Sequence, residues 1–213
     1  MNMRPNLVLE KMRRGETASC IKLNMADART AQVAALHGFD CVWMDMEHTS
    51  NTLEQTENQV RAVHMEGVDT LVRPARGSYS DLIWPLEMDA SGIMIPHIKT
   101  AEEARHMVRC TRFQPMGERY IDGGNADGRY GNLPVAEYVK QANEQRFVVL
   151  QIEDPEAMDN LDEIAAMKPA LDTPSDASQV TQGRVDEEGK GRAQRPGRIE
   201  NVERNDDATH IFC

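Results

Sequence analysis

The sequence predicts an α/β chain built on a parallel sheet or barrel. Short β-rich runs alternate with longer stretches whose apolar residues fall three and four apart, the signature of βα units. The runs are apolar on both faces, as expected when helices cover one side of a sheet and barrel contents the other. This alternation continues through most of the 213 residues, which favours parallel strands joined by crossover helices.

In chain order the expected strands are Cys20 to Leu23, Cys41 to Asp45, Thr70 to Val72, Ile93 to Ile95 and Phe147 to Ile152. Between and after them, helices are expected at Ala26 to His37, Leu53 to Glu66, Tyr79 to Met88, Ala101 to Arg112, Val135 to Asn143 and Pro155 to Met167. Thr100-Ala101-Glu102-Glu103 has the form of a capping box, and Asp154-Pro155 sets an N-cap residue before a first-turn proline. The pattern stops after Met167. Residues 168–213 contain seven of Leu, Ile, Val and Phe in 46 positions and a charged run from Gly183 to Arg192, so they read as an irregular, solvated tail. The division is therefore a partial barrel at 1–167 and a tail at 168–213. A complete eightfold barrel takes about 250 residues, so only about five to six βα units are expected here.

Composition narrows the function. With 24 Lys+Arg against 35 Asp+Glu and a net charge of −11, the surface is poorly suited to phosphate backbones or anionic lipid. No apolar run reaches membrane-spanning length and no apolar signal core follows the N-terminus, so the expected compartment is the cytoplasm and the expected ligand is small. Cys20, Cys41, Cys110 and Cys213 have no close spacing and read as reduced thiols rather than a disulfide frame or zinc site. His37, His64, His97, His106 and His210 share no metal-binding spacing.

The polar residues that interrupt the apolar runs fall where the runs end. Asp45, Glu47 and His48 follow the second run, Arg73 the third and Glu153 the fifth. In a parallel barrel these ends converge on one mouth, where barrel enzymes place their chemistry.

Taken together, Asp45-Met46-Glu47-His48, Val72-Arg73-Pro74, Ile95-Pro96, Tyr130-Gly131 and Gln151-Ile152-Glu153 resemble the HpcH/HpaI family of metal-dependent pyruvate aldolases over about residues 5–167. The resemblance implies a (β/α)8 barrel, incomplete here, that cleaves and forms carbon–carbon bonds between pyruvate and an aldehyde with a divalent cation (Mg, Mn or Co). It implies Glu153 as a metal ligand and Arg73 as the cation that steadies enolate charge. His48 would transfer protons, oriented by Glu87 where the family has aspartate, and Gln151 would support the site. It also implies that the glycine-rich stretch at Gly123 and Gly124 lies near substrate. Thr173-Pro174-Ser175-Asp176 keeps the skeleton of the family's second ligand motif and makes Asp176 the candidate, although no strand-length apolar run precedes it. The family forms homo-oligomers, helped by a C-terminal helix with no counterpart in this sequence. The other reading is a truncated, catalytically dead relative that acts only through its surface.

Overall fold

The computed structural model describes residues 2–167, 177–180 and 208–212. Its strands are β1 (Cys20–Leu23), β2 (Cys41–Asp45), β3 (Asp69–Arg73), β4 (Gly92–Ile95), β5 (Phe147–Leu150), β6 (Ala177–Val180) and β7 (Ala208–Phe212). The helices are α1 (Leu7–Arg13), α2 (Ala28–Ala35), α3 (Leu53–Met65), α4 (Tyr79–Glu87), α5 (Ala101–Thr111), α6 (Val135–Gln145), α7 (Pro155–Asp159) and α8 (Leu161–Ala165). The sheet order is β1-β2-β3-β4-β5-β7-β6 and each recorded strand pair is parallel. The alternating architecture is thus the one expected of a TIM-type barrel. β6 and β7 lie within the stretch read as irregular; the rest of 168–213, Asp176 included, falls outside the described residues.

The runs form strands because side chains on both of their faces find apolar partners. Outside the sheet, Ile93, Ile95, Val148 and Leu150 are fully buried beneath Ala101, Ala104 and Val108 of α5. A second outer cluster joins Val42, Met44 and Val72 to Val60 and Val63 of α3. On the inner face, Cys41, Leu71, Met94, Phe147 and Val149 meet Val8 and Leu9 of α1. Burying each large aliphatic side chain contributes about 1.5–3 kcal/mol. Gly92 starts β4 because the β5 ring leaves no room for more: an added Cβ would stand 2.4 Å from Phe147.

Local details depart from expectation at the caps. Thr100 accepts from the Glu103 amide, but the Glu103 carboxylate takes the Lys99 amide at 2.8 Å instead of closing the box. Asp154 makes no side-chain cap, because its carboxylate is engaged by His97. The last expected helix divides at Asn160 into α7 and α8.

α1 plugs the end of the sheet where the strands begin. Asn6 caps it by accepting from the Leu9 amide at 2.9 Å and donates its own amide to the Ser91 and Gln145 carbonyls. Asp69, fully buried at the start of β3, accepts from the Val8 amide at 2.8 Å and pairs with Arg4. One end of the sheet is closed in this way, so the other end, where the strands finish, is left to carry a site. Among the described residues, no helix is long and apolar enough to cross a membrane.

Candidate active site at the strand ends

Asp45 and Arg73 end β2 and β3 and are register partners, so their side chains rise from the same face of neighbouring strands. The Arg73 guanidinium donates to both oxygens of Asp45, from Nε at 3.0 Å and from Nη2 at 2.6 Å. A rigid two-pronged donor suits this pairing, and Arg73 is held at 4% exposure. Lys22 of β1 reaches Asp45 at 2.7 Å, and both cations stand 5.0 Å from the centre of the Trp43 ring. Burial alone would raise the Asp45 carboxyl, but Arg73 and Lys22 hold it well below the usual carboxylate range.

From Arg73 the contacts run around the sheet. Its Nη1 donates to Gln151 Oε1 at 3.2 Å, and Gln151 Nε2 donates to Glu153 Oε2 at 2.8 Å. The backbone amide of His97 donates to the other Glu153 oxygen at 3.1 Å. The His97 ring faces Glu153 at 3.5 Å and Asp154 at 3.0 Å through Nδ1, and Glu47 at 3.3 Å through Nε2. Glu47 returns to Arg73 Nε at 3.2 Å. The last turns after β2, β3, β4 and β5 are therefore joined in a closed polar ring. The contact that closes the ring is an ion pair without hydrogen-bond geometry: buried Glu47 Oε2 faces Arg73 Nε at 3.2 Å and His48 Nε2 at 3.4 Å.

Arg73, Gln151 and Glu153 thus share one site. His48 borders it: its amide lies 3.4 Å from Asp45 Oδ1, its ring lies 3.4 Å from Glu47, and its side chain is 66% exposed. Glu87 is placed elsewhere. It ends α4, which runs back toward the start of β4, so it lies at the opposite end of the sheet from Arg73. There it accepts from Asn125 at 3.2 Å, and burial raises its carboxyl. Among the described residues no hydrogen bond or ion pair joins it to His48, so the expected dyad does not form within one chain.

Gly123 and Gly124 share the Glu87 neighbourhood, not that of Arg73. The Gly131 amide donates to Gly123 O at 2.8 Å, the Gly124 amide donates to Asp122 at 2.9 Å, and the Asp127 amide donates to Glu87 O at 3.3 Å. Gly128 is required by that folding, since a Cβ there would stand 2.3 Å from Gly123 O.

Sequence reasoning missed His97, Lys22 and the closing role of Glu47. The signal for His97 was its position, directly after Ile95-Pro96 at the end of β4. It holds φ +55°, a left-handed backbone uncommon outside glycine and concentrated at functional sites.

A family model described as HpcH/HpaI aldolase/citrate lyase matches residues 20–187. The chain belongs to this HpcH/HpaI family. The match runs past the point where the residue-by-residue resemblance ended. A 2-keto-3-deoxy-L-rhamnonate aldolase from Escherichia coli (strain K12) is 35% identical over 156 residues, covering 73% of this chain and 58% of that enzyme. Among solved structures, an HpcH/HpaI aldolase/citrate lyase family protein from Burkholderia cenocepacia J2315 aligns with TM-score 0.70 and 28% identity, covering 76% of this chain and 65% of that one. Citrate synthase SbnG aligns with TM-score 0.68 and 28% identity over 75% of this chain and 61% of its own. This HpcH/HpaI chain therefore spans less than two thirds of the length of each of these three relatives.

Proposed function

We propose that the chain is a carbon–carbon lyase that reversibly cleaves a 4-hydroxy-2-oxo acid to pyruvate and an aldehyde with the help of a divalent cation. The observation that carries this reading is the ring at the strand ends: a buried arginine fixed by two carboxylates, beside a second carboxylate group centred on Glu153.

The donor chemistry suits a hard cation in part. Glu153 and Glu47 offer carboxylate oxygens, the ligand type that a hard cation takes, and both face the His97 ring, Glu153 at 3.5 Å and Glu47 at 3.3 Å. Among the described residues no three His, Cys, Asp or Glu side chains are grouped to hold an ion, and Asp176 lies outside them. Glu153, with Glu47, would hold the ion, which supplies Lewis acidity toward the oxygens of an oxo acid when bound.

The remaining work falls to the chain itself. Arg73 presents a permanent cation to the oxygen on which charge develops as the C3–C4 bond breaks. Asp45, Glu47 and Gln151 fix its plane, so little reorganisation is needed at that moment. His48, beside Glu47 and open to solvent, takes the proton of the C4 hydroxyl as the aldehyde leaves and the C3 carbon becomes the enolate carbon. Proton return to C3 completes pyruvate.

The test is metal-dependent pyruvate release from a panel of 4-hydroxy-2-oxo acids. Activity that disappears with chelator and with Glu153→Ala is the expected result. A folded, soluble chain that releases no pyruvate with any panel member would favour the other reading, a catalytically dead relative.

A further inference from the structure

Cys20 and Cys41 are 21 positions apart and show no motif spacing, yet they open β1 and β2 as register partners. Partners on parallel strands stand on the same face. The next same-face pair along these strands demonstrates the contact: Lys22 and Trp43 are also register partners, and the Lys22 ammonium sits 5.0 Å from the Trp43 ring centre. Neighbouring strands lie about 4.7–4.9 Å apart, within the Cα separation of roughly 4.4–6.8 Å that a disulfide spans. The two thiols also differ in access. Cys20 is exposed, whereas Cys41 is buried against Leu71, Phe147 and Val149.

We propose that Cys20 and Cys41 form an oxidisable thiol pair, in which a peroxide converts exposed Cys20 and buried Cys41 resolves it into an intrachain disulfide linking β1 to β2. In the first step the Cys20 sulfur attacks one oxygen of the peroxide, giving a sulfenic acid and releasing water from hydrogen peroxide. In the second step the Cys41 sulfur attacks the Cys20 sulfur, the S–O bond breaks, and the hydroxyl leaves as water with the Cys41 proton. Two thiols are thereby oxidised to one disulfide and one peroxide is reduced to two waters.

Access orders these steps. Burial, and then the adjoining Cys20 thiol, push the Cys41 thiol above its ordinary range, so Cys41 is a poor first target for a peroxide from solution. Its advantage is proximity: an attack between strand neighbours competes with further oxidation of the sulfenic acid by solvent peroxide. The link would act two residues from Lys22 and four from Asp45, fixing β1 against the strand that carries the Arg73 partner.

The test is peptide mapping of the full-length chain after mild hydrogen peroxide treatment, with alkylation in denaturant under non-reducing conditions. The expected result is a Cys20–Cys41 linked peptide, two hydrogen masses below the sum of its parts. Alkylatable thiols should fall from the four of the sequence to two, with full recovery on reduction. Cys41→Ser should convert the outcome at Cys20 to trapped sulfenic acid or its higher oxides. Three outcomes would overturn the proposal in the wild-type chain: Cys20 carried to sulfinic or sulfonic acid while Cys41 stays alkylatable, Cys20 linked instead to Cys110, Cys213 or a second chain, or all four thiols unchanged.

Discussion

The two ends of the sheet both bury arginine–aspartate pairs, but they are finished differently. Where the strands begin, Asp69 is shared among Arg4, the Val8 amide and the Ser91 hydroxyl, and Asp89 pairs with Arg146. Ser91 also accepts from the Thr70 amide at 3.1 Å while its own amide donates to Thr70 Oγ1. Each carboxylate there has an arginine partner, and Asp69 also takes the Val8 amide of α1. Where the strands end, Asp45, Glu47, Glu153 and Asp154 crowd around Arg73 and His97, and His48 stands open. The first arrangement is what fixing a fold requires. The second gathers four carboxylates around one arginine and one histidine and leaves His48 in solvent, an excess of negative charge at the strand ends that suits a cationic ligand.

The largest effect should come from damaging the closed end. Asp69→Ala strips the partner from Arg4 and leaves the buried Val8 amide unmatched, so a loss of about 3–5 kcal/mol in unfolding free energy is expected. Denaturant titration measures it. A loss below about 1 kcal/mol would show that this end is not the structural one.

Next comes Arg73. If the strand ends perform the chemistry, Arg73→Lys should retain positive charge yet lose the fork that engages Asp45 and Gln151. Pyruvate release should fall by about 10²–10³-fold, while the chain still folds. Near-normal turnover in the lysine variant would mean that charge alone suffices and that the planar geometry is incidental. Glu47→Gln sharpens the contrast further. It should change stability by less than about 1 kcal/mol, because it relieves crowded carboxylates, and it should weaken Mn²⁺ binding measured by calorimetry. A destabilisation matching that of Asp69→Ala would erase the distinction between the two ends.

How much of this was readable beforehand depends on range. The strands and helices announced themselves because Val42, Met44, Ala104 and Val108 must face apolar partners at fixed periods. The strand-end rule singled out Arg73 and Glu153 for the same reason, since each interrupts an apolar run. His97 was passed over because its partners, Glu47 and Glu153, are 50 and 56 positions away, and no local period encodes such a meeting. Glu87 shows the converse: its place in the order of residues fits the resemblance, while the direction of α4 sets it at the far end of the sheet from His48 of the same chain. The Cys20–Cys41 neighbourhood was hidden likewise, since register between strands is set by the whole sheet.

The smallest expected effect tests the closed end by pH. His64 lies 3.6 Å from Asp89 and 3.2 Å from the Thr70 hydroxyl. Burial lowers its basicity below the ordinary histidine value of 6.5, with Arg4 and Arg146 acting in the same direction and Asp89 opposing them. The native ring therefore binds its proton less readily than the unfolded chain does. Between the unfolded value and the depressed native one the unfolded state holds more protons, so stability rises with pH there and is lost as pH falls through it. Urea titrations at about pH 7.5 and about pH 5.5 should show the wild-type chain weakening toward acid, and His64→Gln weakening less, whatever its absolute stability. Equal slopes in the two chains would mean that His64 is as easily protonated in the native state as in the unfolded one, and that the closed end admits charge as freely as the open one.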